Sequence, residues 1–162
     1  MRSIRHHLSA HDIVVAVGLI ILINGLGALP AIFVGSDTDW IERPWFYPPE
    51  ILFPIVWTLL FTLMGISLYL VIKRGLNRPD VRAALIVFAW QFLLNLLWTP
   101  VFFGLRRVDI GLVIILILWI AIAATIAAFA RVHRTAALLL VPYLLWVSFA
   151  AILNAAILTL MI

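Results

Sequence analysis

Gln91, Asn95 and Trp98 stand at spacings of four and three residues, so on a helix they share one face. Tyr143, Trp146, Ala150 and Asn154 follow at spacings of three, four and four and make a second stripe. Asn24, beside Gly25 and close to Gly27, is a further isolated amide. All of them fall in stretches that carry no charged residue. A polar stripe facing lipid is costly, so both stripes are expected to point inward. Two kinds of chemistry fit them. Amides in hydrocarbon can bond helix to helix, at about 1 kcal/mol per bond. The same amides between aromatic walls can anchor a flat, hydrophobic ligand with polar edges, with Ala150 and Ala151 leaving room for it. On the residues alone both readings stay open.

Other chemistries are short of parts. Ser67 and Ser148 have no histidine or lysine in the apolar stretches to activate them, and no carboxylates are paired there. Ordinary hydrolysis is therefore not expected. His6, His7, His11 and His133 lie outside the spans or at their edges, and there is no cysteine. Met64 and Met161 are the only methionines in the apolar stretches. Neither a metal site nor an axial haem ligand pair is expected. Ion-coupled carriers usually keep an ionisable group at depth, and none lies mid-span here. The net charge of +4 gathers at the ends of the apolar stretches, so no nucleic-acid face is expected.

The elements that must position these groups are long and apolar. Hydrophobic residues make up 66% of the 162, more than a soluble domain of this size can bury. The apolar runs predict five membrane-spanning helices at about 12–35, 50–73, 82–104, 109–130 and 135–161. Each is long enough to cross a bilayer core of about 30 Å. The expected fold is all-α, an integral membrane five-helix bundle in one domain over 1–162. Asp12 and Asp109 are expected to cap the first and fourth helices. Glu50, behind Pro48 and Pro49, is expected in the first turn of the second. Asn77, Pro79 and Asp80 predict a turn before the third, and Pro142 a kink in the fifth. The later links are short, so consecutive helices are expected to be antiparallel neighbours.

The first link, 36–49, reads SDTDWIERPWFYPP. It is either an interfacial aromatic belt or a semi-rigid lid in which Trp45 and Phe46 cover an apolar ligand. Eight basic residues (Arg2, Arg5, Lys73, Arg74, Arg78, Arg82, Arg131 and Arg134) belong to one side. Arg43, Arg106 and Arg107 belong to the other. The bias puts the N-terminus inside a prokaryotic cell membrane, rather than an outer membrane, and the C-terminus outside.

The same residues resemble the tryptophan-rich sensory protein family (TspO/MBR), which includes the mitochondrial translocator protein, or peripheral benzodiazepine receptor. Three joined signatures carry the resemblance. The first is Pro44-Trp45-Phe46-Tyr47-Pro48-Pro49, followed by Phe53, Pro54, Trp57 and Gly65. The second runs from Trp90 through Trp98 to Phe102-Phe103-Gly104. The third is Pro142-Tyr143-Leu144-Leu145-Trp146, with Phe149-Ala150 and Leu153-Asn154 after it.

The resemblance implies a five-helix bundle, often a homodimer, in contact with membrane lipid. It implies a cavity near the first link for hydrophobic small molecules, above all protoporphyrin IX or haem, with no obligatory cofactor. Carried over, the ligand-binding set is Asn24, Gly25, Trp45, Phe46, Trp57, Gln91, Asn95, Trp98, Tyr143, Trp146, Ala150 and Asn154. Trp119 matches a fourth-helix tryptophan loosely. The role implied is receptor-like or sensory, in stress-linked porphyrin regulation. Transport of porphyrins or lipids and light-dependent porphyrin degradation are the alternatives, beside a purely structural subunit. Two departures narrow the transfer. No basic residue follows Tyr143, so the cholesterol-recognition stretch of animal members is missing. Ile86 and Trp90 occupy the places of a GxxxG dimer pattern known in some relatives.

Overall fold

The structure is a computed structural model and describes residues 9–35 and 37–162. Arg2, Arg5, His6 and His7 lie outside the described residues. The regular elements are all helical: α1 (Ala10–Val34), α2 (Leu52–Ile72), α3 (Pro79–Thr99), α4 (Val108–Val132), α5 (Arg134–Leu139) and α6 (Val141–Met161). With α3 continued to Gly104, and α5 and α6 taken together, five helices are long and apolar enough to cross a membrane. The chain is an all-α integral membrane protein.

The helix ends differ in detail from the sequence expectations. Ser9, not Asp12, caps α1, its hydroxyl accepting from the Asp12 amide at 3.1 Å. Asp12 closes the reciprocal capping box and also accepts from the Tyr69 hydroxyl at 2.8 Å and from Lys73 at 3.1 Å. A carboxylate expected to serve its own helix thus ties the start of α1 to the end of α2. Asp109 sits inside the first turn of α4 and takes two bonds from Arg107. Glu50 precedes α2 altogether. Pro79 and Asp80 open α3, where a proline's missing N–H costs nothing, and the reversal before them is made by Gly75 at φ +110°.

Two prolines break the spans. Pro100 cannot donate to the α3 ladder, and the backbone widens into a π-helical turn over Pro100–Gly104, with Leu105 N–H bonded to the Pro100 carbonyl at 2.9 Å. Pro142 does more than kink the last span. The chain leaves the helix at Leu140 and restarts, giving the short α5 and the long α6 with Pro142 in its first turn.

Consecutive helices are not all neighbours. α3 packs most extensively on α4, α1 on α2, and α4 on α6, whereas α2 and α3 barely touch. The short α5 fills that place and packs on α2, where the Ser67 hydroxyl donates to the Ala136 carbonyl at 2.7 Å. This end of the bundle is solid. Val71, Val81, Phe88, Phe129 and Ala136 are buried, and Phe88 stacks on Phe92 and Phe129 at 6.0 and 5.8 Å. The opposite end, under the 36–49 link, has a smaller core around Ile41, Phe102, Val108, Leu153 and Ile157, and it is there that the packing leaves a space.

Candidate functional site

A cavity of about 710 Å³ opens between α1, α2, α3 and α6 in the half of the bundle nearest the 36–49 link. That volume is within the range of small-molecule sites. On α2, Pro54, Trp57, Thr58 and Phe61 repeat at three, one and three residues and give one wall. α3 contributes Asn95, Trp98 and Thr99, and its π-helical turn adds Phe102 and Phe103. α6 contributes Trp146, Ala150 and Asn154 at helical spacing. α1 presents small residues, Gly27, Ala28 and Ala31, beside Asn24.

The aromatic wall is internally braced. Trp98 stacks on Phe102 at 4.7 Å, Trp57 on Phe61 at 5.3 Å, and Trp146 meets Phe53 edge-on at 6.0 Å. The amides are braced too. Asn154 accepts from the Trp98 indole N–H at 3.3 Å and donates to the Val108 carbonyl at 2.9 Å, joining α3, α4 and α6 at one point. Gly111 makes this possible, since a Cβ there would sit 3.1 Å from the Phe102 ring and 3.3 Å from the Asn154 amide oxygen. Asn24 donates to Thr62 on α2 at 3.2 Å.

Of the residues singled out in the sequence, Asn24, Trp57, Asn95, Trp98, Trp146, Ala150 and Asn154 line the cavity. Gln91 and Tyr143 lie behind the wall. Tyr143 receives a bond from Asn95 at 2.8 Å and donates to Gln91 at 3.0 Å, and both it and Gln91 are fully buried. Gly25 faces open space, whereas Gly27 takes the Phe61 ring where a Cβ would be, so the close approach falls two residues later than expected. Trp45 is 96% exposed and is not among the residues that line the cavity. Phe46 packs on Phe149 at 6.5 Å, outside the lining. Trp119 donates to Ser148 at 2.7 Å, bridging α4 to α6.

The link does form a roof, through other residues than those expected. Ile41 and Tyr47 cover the cavity, and Thr38, Arg43 and Glu50 clasp the link to itself. The Thr38 hydroxyl donates to Glu50 at 2.6 Å, and Arg43 donates to Glu50 at 2.7 Å and to Thr38 at 3.0 Å. The Thr38 bond and then the Arg43 charge hold the Glu50 carboxyl below its ordinary range. Burial raises the Tyr47 phenol. Among the described residues no group of histidine and carboxylate side chains is placed to hold a metal.

Residues 16–160 match the sequence profile of the TspO/MBR family. The chain belongs to that family. It is 43% identical over 148 residues to "Tryptophan-rich protein TspO" of Chlorobaculum tepidum, covering 89% of this chain and 92% of that one. It is 40% identical over 151 residues to "Tryptophan-rich protein TspO" of Archaeoglobus fulgidus, covering 90% and 96%. Similarity extends to the human "Translocator protein", at 37% identity over 125 residues and 74% and 73% coverage. The match to the TspO/MBR profile spans every cavity-lining helix, from α1 to α6. The α2 stripe, Tyr47 and the Thr38–Arg43–Glu50 clasp are the parts the two amide stripes did not announce. For α2 the signal was present as helical spacing, and for the clasp there was none.

Proposed function

We propose that this TspO/MBR protein is a membrane receptor whose cavity binds a tetrapyrrole of the protoporphyrin IX type, in stress-linked porphyrin handling. One observation carries the reading. The space is walled by Trp57, Trp98 and Trp146 with Phe53, Phe61 and Phe102, and its polar groups are a few amides and hydroxyls, with the Glu50 carboxylate at the rim. Flat aromatic faces and sparse hydrogen-bonding anchors are what a planar, largely apolar macrocycle requires. Among the described residues that line the space there is no histidine, cysteine or methionine. Tyr47 in the roof is the one side chain among them of a type that ligates haem iron, whereas the metal-free porphyrin needs no axial ligand.

The test is titration of the purified protein with protoporphyrin IX in the dark, read by tryptophan quenching and porphyrin absorbance. Trp146→Ala and a detergent-only blank are the controls. Saturable 1:1 binding, weakened in the variant, is the expected result. Quenching that fails to saturate and equals the blank would reduce the effect to partitioning and remove the reading. Flux in sealed vesicles and light-driven turnover above one would then distinguish transport and degradation from simple reception.

A further inference from the structure

The cavity is closed on most sides. Its lining residues on α3, α4, α6 and the π-helical turn are all buried or half-buried, and so are Thr38, Ile41 and Tyr47 in the roof. The exposed lining residues are confined to two neighbouring strips. They are Ala28, Ala31 and Gly35 at the end of α1, and Glu50, Ile51, Pro54 and Thr58 at the start of α2. The opening is therefore a slot between these two helix ends.

The slot has a physical cause. Lower down, α1 and α2 are pressed together. Gly65 takes the Ile20 backbone where a Cβ would lie 2.7 Å away, and Asn24 bonds to Thr62. Above Gly27 and Phe61 the facing side chains on α1 are alanines, too small to fill the gap to α2. On the other side α1 is sealed, with Val34 at 3.2 Å from the Cβ position of Gly104.

The lips are mostly apolar, and Ala28, Ala31, Pro54 and Thr58 lie within the apolar spans. Thr58 spends its hydroxyl on the Pro54 carbonyl at 2.7 Å, and Thr62 spends its own on Thr58 at 2.8 Å. Ala28 lies six residues before the end of α1 and Thr58 six after the start of α2. That places both about 9 Å inside the helices at 1.5 Å per residue. Glu50 is the one charged side chain among the described lining residues, and it sits at the upper rim with its clasp partners.

We propose that the cavity loads sideways from the bilayer, through the α1–α2 slot, and takes a planar amphiphile already dissolved in lipid. Its apolar body passes between Ala28, Ala31 and Thr58 while its polar edge stays at the level of Thr38 and Glu50. The roof need not open. This rests on the ligand-binding reading of the cavity, and it adds the route and the physical state of the ligand.

The chain has no cysteine, so two cross-links can be placed cleanly in the full-length protein in nanodiscs. Ala28→Cys with Thr58→Cys, joined by a short bifunctional thiol reagent, bars the slot. Asp37→Cys with Arg106→Cys, an ion pair at 3.5 Å outside the cavity lining, joined likewise, ties the roof to the link between α3 and α4. The probe is protoporphyrin IX, followed by stopped-flow tryptophan quenching before and after cross-linking. Barring the slot is expected to slow both association and release at least tenfold, and locking the roof to change either less than threefold. A roof lock that slows exchange as much as the slot bar, or more, overturns the proposal.

A second arm needs no porphyrin. Phospholipid brominated on its acyl chain quenches tryptophans it can touch, so barring the slot is expected to cut the quenching by at least a quarter as Trp57 and Trp146 are shielded. Quenching unchanged by the slot bar overturns the portal even if porphyrin binds. Absence of saturable porphyrin binding with a slot-dependent loss of bromolipid quenching would sink the ligand reading and leave the portal standing.

Discussion

Tyr143 shows why a shared helical face does not mean a shared role. It sits in one stripe with Trp146, Ala150 and Asn154, yet its hydroxyl is spent between Asn95 and Gln91 behind the cavity wall. The Gln91 amide nitrogen has no partner among the described residues even so. Tyr143→Phe would strand two buried amides, a cost of about 1–2 kcal/mol. Unfolding in mixed micelles is expected to show that loss, with porphyrin affinity changed less than threefold. Ala150 is the opposite case. It lines the cavity and is half-buried, so Ala150→Phe puts a ring into the empty volume. Porphyrin affinity is expected to fall at least tenfold with helicity by circular dichroism unchanged. Unaltered affinity would reduce the stripe to helix packing. Spacing alone identified both residues but could not separate them, because it fixes the face of a helix and not the depth of a neighbour.

Helices that are apolar all round carry little directional signal, since lipid and protein interior select the same side chains. The five spans were therefore legible from hydropathy to within a few residues, while their partners were not. Nothing in the 73–78 link announces that α2 turns from α3 to meet α5. Nor does Pro142 announce a restart at Leu140 rather than a bend. The glycines make the point testable. Gly65→Ala drives a Cβ into the Ile20 backbone, which cannot rotate away, and is expected to destabilise by about 1–3 kcal/mol. Gly25→Ala meets nothing within 4 Å and is expected to change stability by less than about 0.5 kcal/mol. The 36–49 link behaves as an element through its clasp. Because the Glu50 carboxyl is held below its ordinary value, the clasp contributes fully above the unfolded value of about 4.3 and is lost as pH falls through the lower folded value. Hydrogen exchange over 38–50, corrected for intrinsic rates, is expected to be flat from pH 7 to 5 and to rise below pH 4. Glu50→Gln is expected to exchange at a constant, faster rate across that range. A wild-type rise that persists in Glu50→Gln would show that the clasp does not set it.

The bundle is also polar from end to end, in the sense that the basic residues of the sequence predict. Lys73, Arg74, Arg78, Arg82, Arg131 and Arg134 gather at the end where α1 begins, against Asp12 and Asp80. Asp37, Asp39, Glu42, Glu50 and Asp109 gather at the cavity end, against Arg43, Arg106 and Arg107. Counting formal charges, six minus two gives +4 at one end of the described residues and three minus five gives −2 at the other. Lysine and arginine excess marks the cytoplasmic side in a prokaryotic plasma membrane. The cavity, its roof and the α1–α2 slot are then expected in the outer half of the bilayer, with the C-terminus outside. Single cysteines at Asp39 and Arg78 decide it, because a native chain without cysteine gives no background. In intact cells a membrane-impermeant maleimide is expected to label Asp39→Cys and to reach Arg78→Cys only after lysis. The reverse pattern would turn the molecule over and place the slot in the inner leaflet, where a ligand made inside the cell would meet it first.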